Sequence, residues 1–112
     1  MYSLVFGSSA WASPIFPYFL RSIAGAPSVV LLLIGSPKPS TLHLPANVHH
    51  VNLTLDQYDE QIRSMLNISG APHHVDTRVL SYKLGTDGKP LVPVVMPSLI
   101  QHYRWFGWVD ND

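Results

Sequence analysis

The sequence predicts an α/β domain in three layers, with helices on both faces of a mostly parallel sheet. Short apolar runs alternate with segments whose apolar residues recur at helical spacing, and this alternation is typical of such folds. Residues 29–34 are continuously apolar, as expected of a central parallel strand that is covered on both faces. Apolar residues make up 46% of the chain, so a packed core is expected.

The first half of the chain is expected to form a strand, a helix and a second strand. Residues 2–7 are a short apolar run, which predicts a buried strand followed by a loop. The helix begins either at Ser13, as an N-cap before a proline, or at Pro17, because proline belongs in the first turn. Gly25 ends this helix, and residues 29–34 form the second strand.

The second half of the chain continues with a third strand and a second helix. Residues 48–55 are rich in β-branched residues, which predicts the strand. Thr54 and Gln57 have the spacing of a capping box, a pattern that marks the start of a helix. Apolar residues then recur along one helical stripe, formed by Tyr58, Ile62, Met65 and Leu66.

The last part of the chain is predicted to be mostly loop, with two short elements near its end. Glycine and proline are spread over residues 70–97 and disfavour regular structure there. Pro97 is expected to open a short helix that includes Ile100 and Tyr103. Residues 105–109 form a last apolar run that predicts a strand. The aromatic residues of this run are expected in the core; they are Trp105, Phe106 and Trp108.

Composition disfavours several classes of function. The net charge is zero and the seven basic residues are scattered, so binding to nucleic acid is not expected. There is no cysteine, which excludes thiol catalysis and thiolate zinc sites. The longest apolar run is far shorter than the ~20 residues of a membrane-spanning helix, so no span is expected in this chain. Charged residues make up only 12%, which predicts a single partial domain over residues 1–112 that packs against something outside it.

Two carboxylates, Asp110 and Asp112, follow the last apolar run. At a strand end, residues i and i+2 point to the same side, so both side chains can face one hard cation. Mg²⁺ and Mn²⁺ prefer oxygen ligands and commonly combine one or two carboxylates with the phosphates of a substrate. The alternative is a solvated acidic turn, because two acids at this spacing are common.

A second candidate site follows the first strand, at Gly7, Ser8 and Ser9. Ligands of parallel sheets bind beyond the carboxyl ends of the strands, where backbone N–H groups and hydroxyls of this segment could contact a nucleotide. An ordinary strand-to-helix loop is the alternative. The sequence contains neither a P-loop nor a dinucleotide-binding glycine fingerprint.

Three stretches occur in the order and spacing of a known family's motifs. Residues 16–22 are similar to that family's first helix, and residues 44–55 to the segment that leads into its second helix. The third stretch has two parts. Residues 82–90 resemble the family's Lys-Leu-Cys-Asp-x-Lys-Pro segment, with Thr86 in place of the cysteine and one extra residue between Leu84 and Asp87. Residues 106–112 resemble its Trp-Gly-x-x-Asp-x-Asp strand end. The chain thus resembles a group of largely uncharacterised proteins that are assigned to the GT-A glycosyltransferases.

This resemblance implies a metal-dependent transfer of a sugar from a nucleotide-diphosphate donor, with a UDP-sugar favoured, to a glycan or lipid acceptor. The chain would be the Rossmann-like, nucleotide-binding half of the GT-A fold. Asp110 and Asp112 would bind Mn²⁺ or Mg²⁺ together with the diphosphate. In the family, the acceptor site and any catalytic base follow this motif, so no catalytic residue is predicted here.

The resemblance also implies donor-binding residues in two loops. Phe6, Gly7 and Ser8 would line the nucleoside pocket, and Asp87 and Lys89 would lie in the donor-side segment.

Two other functions and the compartment stay open from the sequence alone. A nucleotidyltransferase could use the same carboxylate pair, and it would prefer a nucleoside triphosphate. A truncated domain that only binds a partner is compatible with the low charge. The resemblance favours the cytoplasm, whereas the glycosylation sequons at Asn52 and Asn67 would permit a secretory-pathway lumen.

Overall fold

The structure, a computed structural model, describes residues 1–6, 11–65 and 88–110. Within these ranges the chain forms three strands, β1 (Tyr2–Val5), β2 (Leu31–Gly35) and β3 (Val48–Asn52). It also forms three α-helices, α1 (Phe16–Ala24), α2 (Leu55–Met65) and the short α3 (Val92–Val95). Short 3-10 helices lie at Lys89–Leu91 and Pro97–Leu99. The predicted α/β class is therefore confirmed.

The three strands form one parallel sheet in the order β1-β2-β3. Val5 pairs with Gly35, and Gly35 pairs with Asn52, so the last residues of all three strands lie side by side. One edge of the sheet thus collects all three carboxyl ends, which is where ligands bind in open α/β sheets.

A fourth segment lies beside β1, on the side away from β2. Tyr2 pairs with Trp108 in an isolated parallel bridge. The Tyr2 N–H donates to the Gly107 carbonyl at 2.9 Å, and the Val109 N–H donates to the Tyr2 carbonyl at 3.0 Å. The strand predicted at residues 105–109 is therefore present as a bridge at a single residue, and it extends the sheet to the spatial order Trp108, β1, β2, β3.

Hydrophobic clusters cover both faces of the sheet. Side chains alternate along β1, so Tyr2 and Leu4 face one side and Val5 faces the other. The first side packs against α2 and the 88–100 segment, through buried Tyr58, Ile62, Val92 and Ile100. The second side packs against α1, through buried Phe16, Leu20 and Ile23.

Helix α1 begins at Phe16, with Ile15 at the N-cap position and Pro17 in the first turn. The predicted start at Ser13 is wrong, and the alternative start at Pro17 is one residue late. Ser13 instead belongs to a turn, in which its carbonyl accepts a hydrogen bond from the Phe16 N–H at 3.1 Å. Pro17 fits because N–H groups of the first turn have no acceptor within the helix. Gly25 is the C-cap, as predicted.

Helix α2 confirms the predicted capping box. The Thr54 N–H donates to Oε1 of Gln57 at 2.9 Å, and the Gln57 N–H donates to Oγ1 of Thr54 at 3.1 Å. Tyr58 and Ile62 of the predicted stripe are buried, whereas Met65 is partly exposed. Leu66 lies outside the described residues.

Residues 88–100 are more helical than the sequence predicted. The expectation of loop over residues 70–97 is wrong for Lys89–Leu91 and for Val92–Val95, each of which has a proline in its first turn. Proline opens a helical turn as readily as it interrupts a longer helix, which explains the error. The predicted helical start at Pro97 is confirmed, but the helix is the 3-10 turn Pro97–Leu99 and ends before Ile100 and Tyr103, which the prediction includes. Residues 66–87 lie outside the described ranges.

The aromatic residues that follow are exposed, which corrects their predicted place in the core. Trp105 is 81% exposed, and Phe106 and Trp108 are each 52% exposed. Trp108 lies beside β1 at the outer edge of the described sheet, and Trp105 and Phe106 precede it. In the same described ranges, no helix combines the length and the apolar character needed to cross a bilayer.

Candidate functional site

The sheet contains a point at which the order of its strands reverses. The chain runs outward from β1 through β2 to β3 and then returns to the opposite side of β1 at Trp108. In open α/β sheets, ligands bind in the crevice at such a reversal, outside the carboxyl ends of the two strands. Here that crevice lies between the end of β1 and the residues that follow Trp108.

Asp110 is the charged residue that the fold brings to this crevice. It follows the bridge residue Trp108 by two positions, so the two side chains leave the backbone on the same side. Trp108 contacts the Tyr2 ring on that side, with centroids 6.4 Å apart, whereas Val109 packs against the α1 cluster on the other. Asp110 therefore points toward the face that carries α2 and residues 88–100.

Lys89 meets Asp110 on this face. The Lys89 ammonium donates a hydrogen bond to Oδ1 of Asp110 and forms an ion pair with it. The two side chains differ sharply in exposure, at 5% for Lys89 and 72% for Asp110. The fold thus holds a buried cation directly behind a solvent-accessible carboxylate, because the 3-10 turn that carries Lys89 packs against the core.

Two buried tyrosines fix the turn that carries Lys89. The Tyr2 hydroxyl donates to the Lys89 carbonyl at 2.7 Å, and the Tyr58 hydroxyl donates to the Gly88 carbonyl at 2.5 Å. Each carbonyl also accepts a backbone N–H, from Val92 and Leu91 respectively. Both lone pairs of both oxygens are therefore in use, which restrains the turn from two elements of the core.

Burial keeps both hydroxyls protonated. It raises the pKa of Tyr58 to about 12, with a smaller contribution from the neighbouring Tyr2. Burial likewise raises the pKa of Tyr2 above its ordinary value. Neither tyrosine ionises near neutral pH, so both act as hydrogen-bond donors to the turn and not as acid–base groups.

Of the other predicted site residues, Phe6 lies within the described ranges. The Phe6 side chain is 8% exposed and its ring lies 5.6 Å from the Tyr58 ring, so it belongs to the core and only its backbone borders the crevice. Gly7, Ser8, Asp87 and Asp112 lie outside the described residues. Their predicted roles stay predictions.

Neither the two tyrosine hydroxyls nor the pairing of Lys89 with Asp110 is predicted from the sequence. The apolar patterns identify Tyr2 and Tyr58 only as buried positions of a strand and a helix. The available signal is chemical: a tyrosine on the buried face of an element brings a hydroxyl that needs an acceptor inside the core. The ion pair leaves no such local signal, since its partners are 21 residues apart.

The Asp110 carboxylate is the oxygen donor that the described chain places at this edge. Lys89 donates to Oδ1 of Asp110. A carboxylate has about four acceptor positions over its two oxygens, so the exposed Asp110 side chain can accept further ligands from the solvent side. Oxygen donors of this kind are the preferred ligands of Mg²⁺ and Mn²⁺. The described residues contain no group of three or more His, Asp or Glu side chains arranged for a metal, and Asp112 is outside them.

Comparison with known proteins gives a family. Residues 6–112 match a family of unknown function, DUF6625. The chain belongs to DUF6625. No curated protein and no solved structure matches it significantly. The DUF6625 match spans the crevice from Phe6 to Asp110, so the Lys89–Asp110 pair lies inside the family's own segment.

Proposed function

We propose that this DUF6625 chain is the nucleotide-binding half of a GT-A-type glycosyltransferase. Its reaction is a metal-dependent transfer of a sugar from a nucleotide-diphosphate donor, with a UDP-sugar favoured, to a glycan or lipid acceptor. One observation carries the proposal: Asp110 stands at the strand-order reversal of a parallel sheet, beside the carboxyl end of β1. A diphosphate bound in that crevice would lie between the carboxylate and the segment after Phe6.

In this proposal, different residues at the crevice bind the metal ion, the diphosphate and the nucleoside. Asp110, with Asp112, would hold Mn²⁺ or Mg²⁺, and the ion would neutralise charge that develops on the departing diphosphate. Lys89 supplies a second positive charge on the same edge. Phe6, Gly7 and Ser8 would contact the nucleoside through backbone groups and the serine hydroxyl, and Asp87 would lie on the donor side.

The three-layer GT-A arrangement belongs to the same proposal. Helix α1 on one face of the sheet and α2 on the other support it. So does the return of the chain to the free side of β1 at Trp108, because this places the acidic strand end next to the first strand.

Thermal unfolding of the full-length gene product tests the proposal. UDP, GDP, their sugars and the nucleoside triphosphates are each added with and without Mn²⁺. A ligand at about 100 times its dissociation constant adds about 2.7 kcal/mol, a shift of several degrees for a domain of this size. We expect a shift with one nucleoside diphosphate that requires Mn²⁺ and is lost in Asp110→Asn.

The exposed Glu60 offers a matched control, since Glu60→Gln removes the same charge from the surface of α2 and should leave the shift unchanged. A shift of the unfolding temperature with nucleoside triphosphates alone would contradict the glycosyltransferase and favour a nucleotidyltransferase. A folded protein that responds to no nucleotide would reject both enzymes and leave a domain that binds a partner.

A further inference from the structure

We propose that Lys89 is a specificity-determining residue, which keeps free divalent cations off Asp110 and favours a cation that arrives with a diphosphate. The inference rests on the proposed nucleotide-sugar site and adds a selection rule to it. It follows from the asymmetry of one ion pair, in which the cation is buried and the anion faces solvent.

In the site without ligand, Lys89 already neutralises Asp110, because its ammonium donates directly to Oδ1. The lysine cannot withdraw easily: the Tyr2 and Tyr58 hydroxyls hold its turn by the Lys89 and Gly88 carbonyls, at 2.7 and 2.5 Å. A free cation that approaches the exposed carboxylate therefore meets a positive charge directly behind it, and the two like charges repel each other.

A diphosphate meets the opposite force at this edge of the sheet. It carries several negative charges, so the Lys89 ammonium that repels a cation attracts this anion. When cation and diphosphate bind together, the anion offsets the repulsion between the cation and Lys89. Lys89 thus weakens the binding of a free cation and strengthens the binding of a diphosphate.

This sign reversal distinguishes the proposal from a purely structural role for Lys89. A side chain needed only for folding would, on removal, weaken the binding of both ligands. A side chain that contacts only the diphosphate would leave the affinity for the free cation unchanged. Selection by charge requires that the neutral variant bind the free cation more tightly and the diphosphate less tightly.

The experiment compares the wild-type full-length protein with Lys89→Met, which keeps the length of the side chain and removes its charge. Mn²⁺ binding is followed by the electron paramagnetic resonance signal of free Mn²⁺, and binding of UDP and GDP is followed by calorimetry, without metal and with saturating Mn²⁺. Lys89→Met removes a unit charge that touches the carboxylate. We therefore expect this variant to bind Mn²⁺ alone at least about tenfold more tightly, and the nucleotide more weakly.

Lys89→Arg keeps the charge and should retain both wild-type affinities. Arg21→Met removes one positive charge from an exposed position of α1 and should change neither. If the wild type binds Mn²⁺ and a nucleotide but Lys89→Met moves both affinities in the same direction, or neither, the selection rule is wrong and the proposed function stands. A wild type that binds neither Mn²⁺ nor UDP or GDP overturns both.

Discussion

The Tyr2 hydroxyl donates a hydrogen bond to the carbonyl of Lys89 at 2.7 Å, across 87 positions of the chain. The Tyr2 backbone pairs at the same time with Gly107 and Val109, the residues that lead to Asp110. One residue of β1 therefore holds both partners of the Lys89–Asp110 ion pair, Lys89 by its side chain and Asp110 by its main chain. The geometry of the candidate site is thus set from inside the core.

Replacement of Tyr2 by phenylalanine is expected to destabilise the fold modestly. The Lys89 carbonyl would keep its bond from the Val92 N–H and lose one of two donors. A single buried hydrogen bond is worth about 0.5–1.5 kcal/mol, so urea unfolding should show a loss of about 1 kcal/mol. Tyr18→Phe is the control, because Tyr18 is 68% exposed and its hydroxyl should matter little. Equal stability of both variants would contradict the role given to the Tyr2 hydroxyl.

The two tyrosines should also act together. Tyr58→Phe removes the donor to Gly88, the carbonyl next to that of Lys89. Since both hydroxyls restrain one turn, the loss in the double variant should differ from the sum of the single losses, as is usual for groups in one network. Additive losses in a double-mutant cycle would mean that the turn is held at two independent points.

Alkaline pH is expected to destabilise the protein through Tyr58. Burial raises its folded-state pKa to about 12 from the ordinary 10.0, so folding favours the protonated hydroxyl. The resulting stability is fully present below pH 10 and is lost as pH rises through 12. At about 1.36 kcal/mol per pH unit, the loss is at most about 2.7 kcal/mol.

The measurement is denaturant unfolding at several pH values from 8 to 11.5, on the wild type and on Tyr58→Phe. The free energy of unfolding of the wild type should fall more steeply above pH 10 than that of the variant, which lacks this hydroxyl. Parallel curves would show that Tyr58 does not account for the alkaline loss.

Gly35 is expected to tolerate no side chain. It ends β2 with φ +154° and packs against β1, where an added Cβ would lie 2.6 Å from the carbonyl carbon of Val5. Backbone cannot yield as a flexible side chain does, so Gly35→Ala should cost more than about 3 kcal/mol or prevent folding, as severe strain does.

Gly107→Ala is the matched control for this substitution. No atom lies within 4 Å of a Cβ built at Gly107, which has the further role of accepting the Tyr2 N–H through its carbonyl. Its stability should stay within about 0.5 kcal/mol of the wild type in thermal or urea unfolding. Similar losses of unfolding free energy in both variants would mean that the loss comes from replacing glycine in general, and not from the close contact between β1 and β2.

Local patterns were enough to predict most of the secondary structure. The continuous apolar run of β2 and the reciprocal bonds of Thr54 and Gln57 each leave a mark within a few residues. Asp110 could likewise be selected as a candidate, because it follows an apolar run. The pairing of Lys89 with Asp110 could not, because the fold alone brings them together, and the choice of partner depends on how Tyr2 and Tyr58 hold the intervening turn.

The exposed aromatic residues show where a sequence pattern predicts burial that the fold does not provide. Hydrophobicity indicates that Trp105, Phe106 and Trp108 favour contact with other apolar groups, and it does not indicate which element provides that contact. The described chain places them at the outer edge of the sheet, where Tyr2 pairs with the backbone of Trp108 and leaves its ring 52% exposed. The predicted burial of these residues followed from their hydrophobicity alone, and their position at the edge of the sheet leaves them exposed.

Trp105 provides the direct test of this exposure. At 81% exposed it should emit at long wavelength and be quenched by iodide, whereas the half-buried Trp11, which packs edge-on against Phe16, should be protected. Trp108 is also exposed, at 52%, so the test uses a Trp108→Phe background, in which Trp105→Phe should remove most of the quenchable signal. Trp105→Ala should change the free energy of unfolding by less than about 0.5 kcal/mol, while Trp11→Ala should cost a larger amount, because it empties space in the α1 cluster. Protection of Trp105 from iodide would mean that this edge of the sheet is covered.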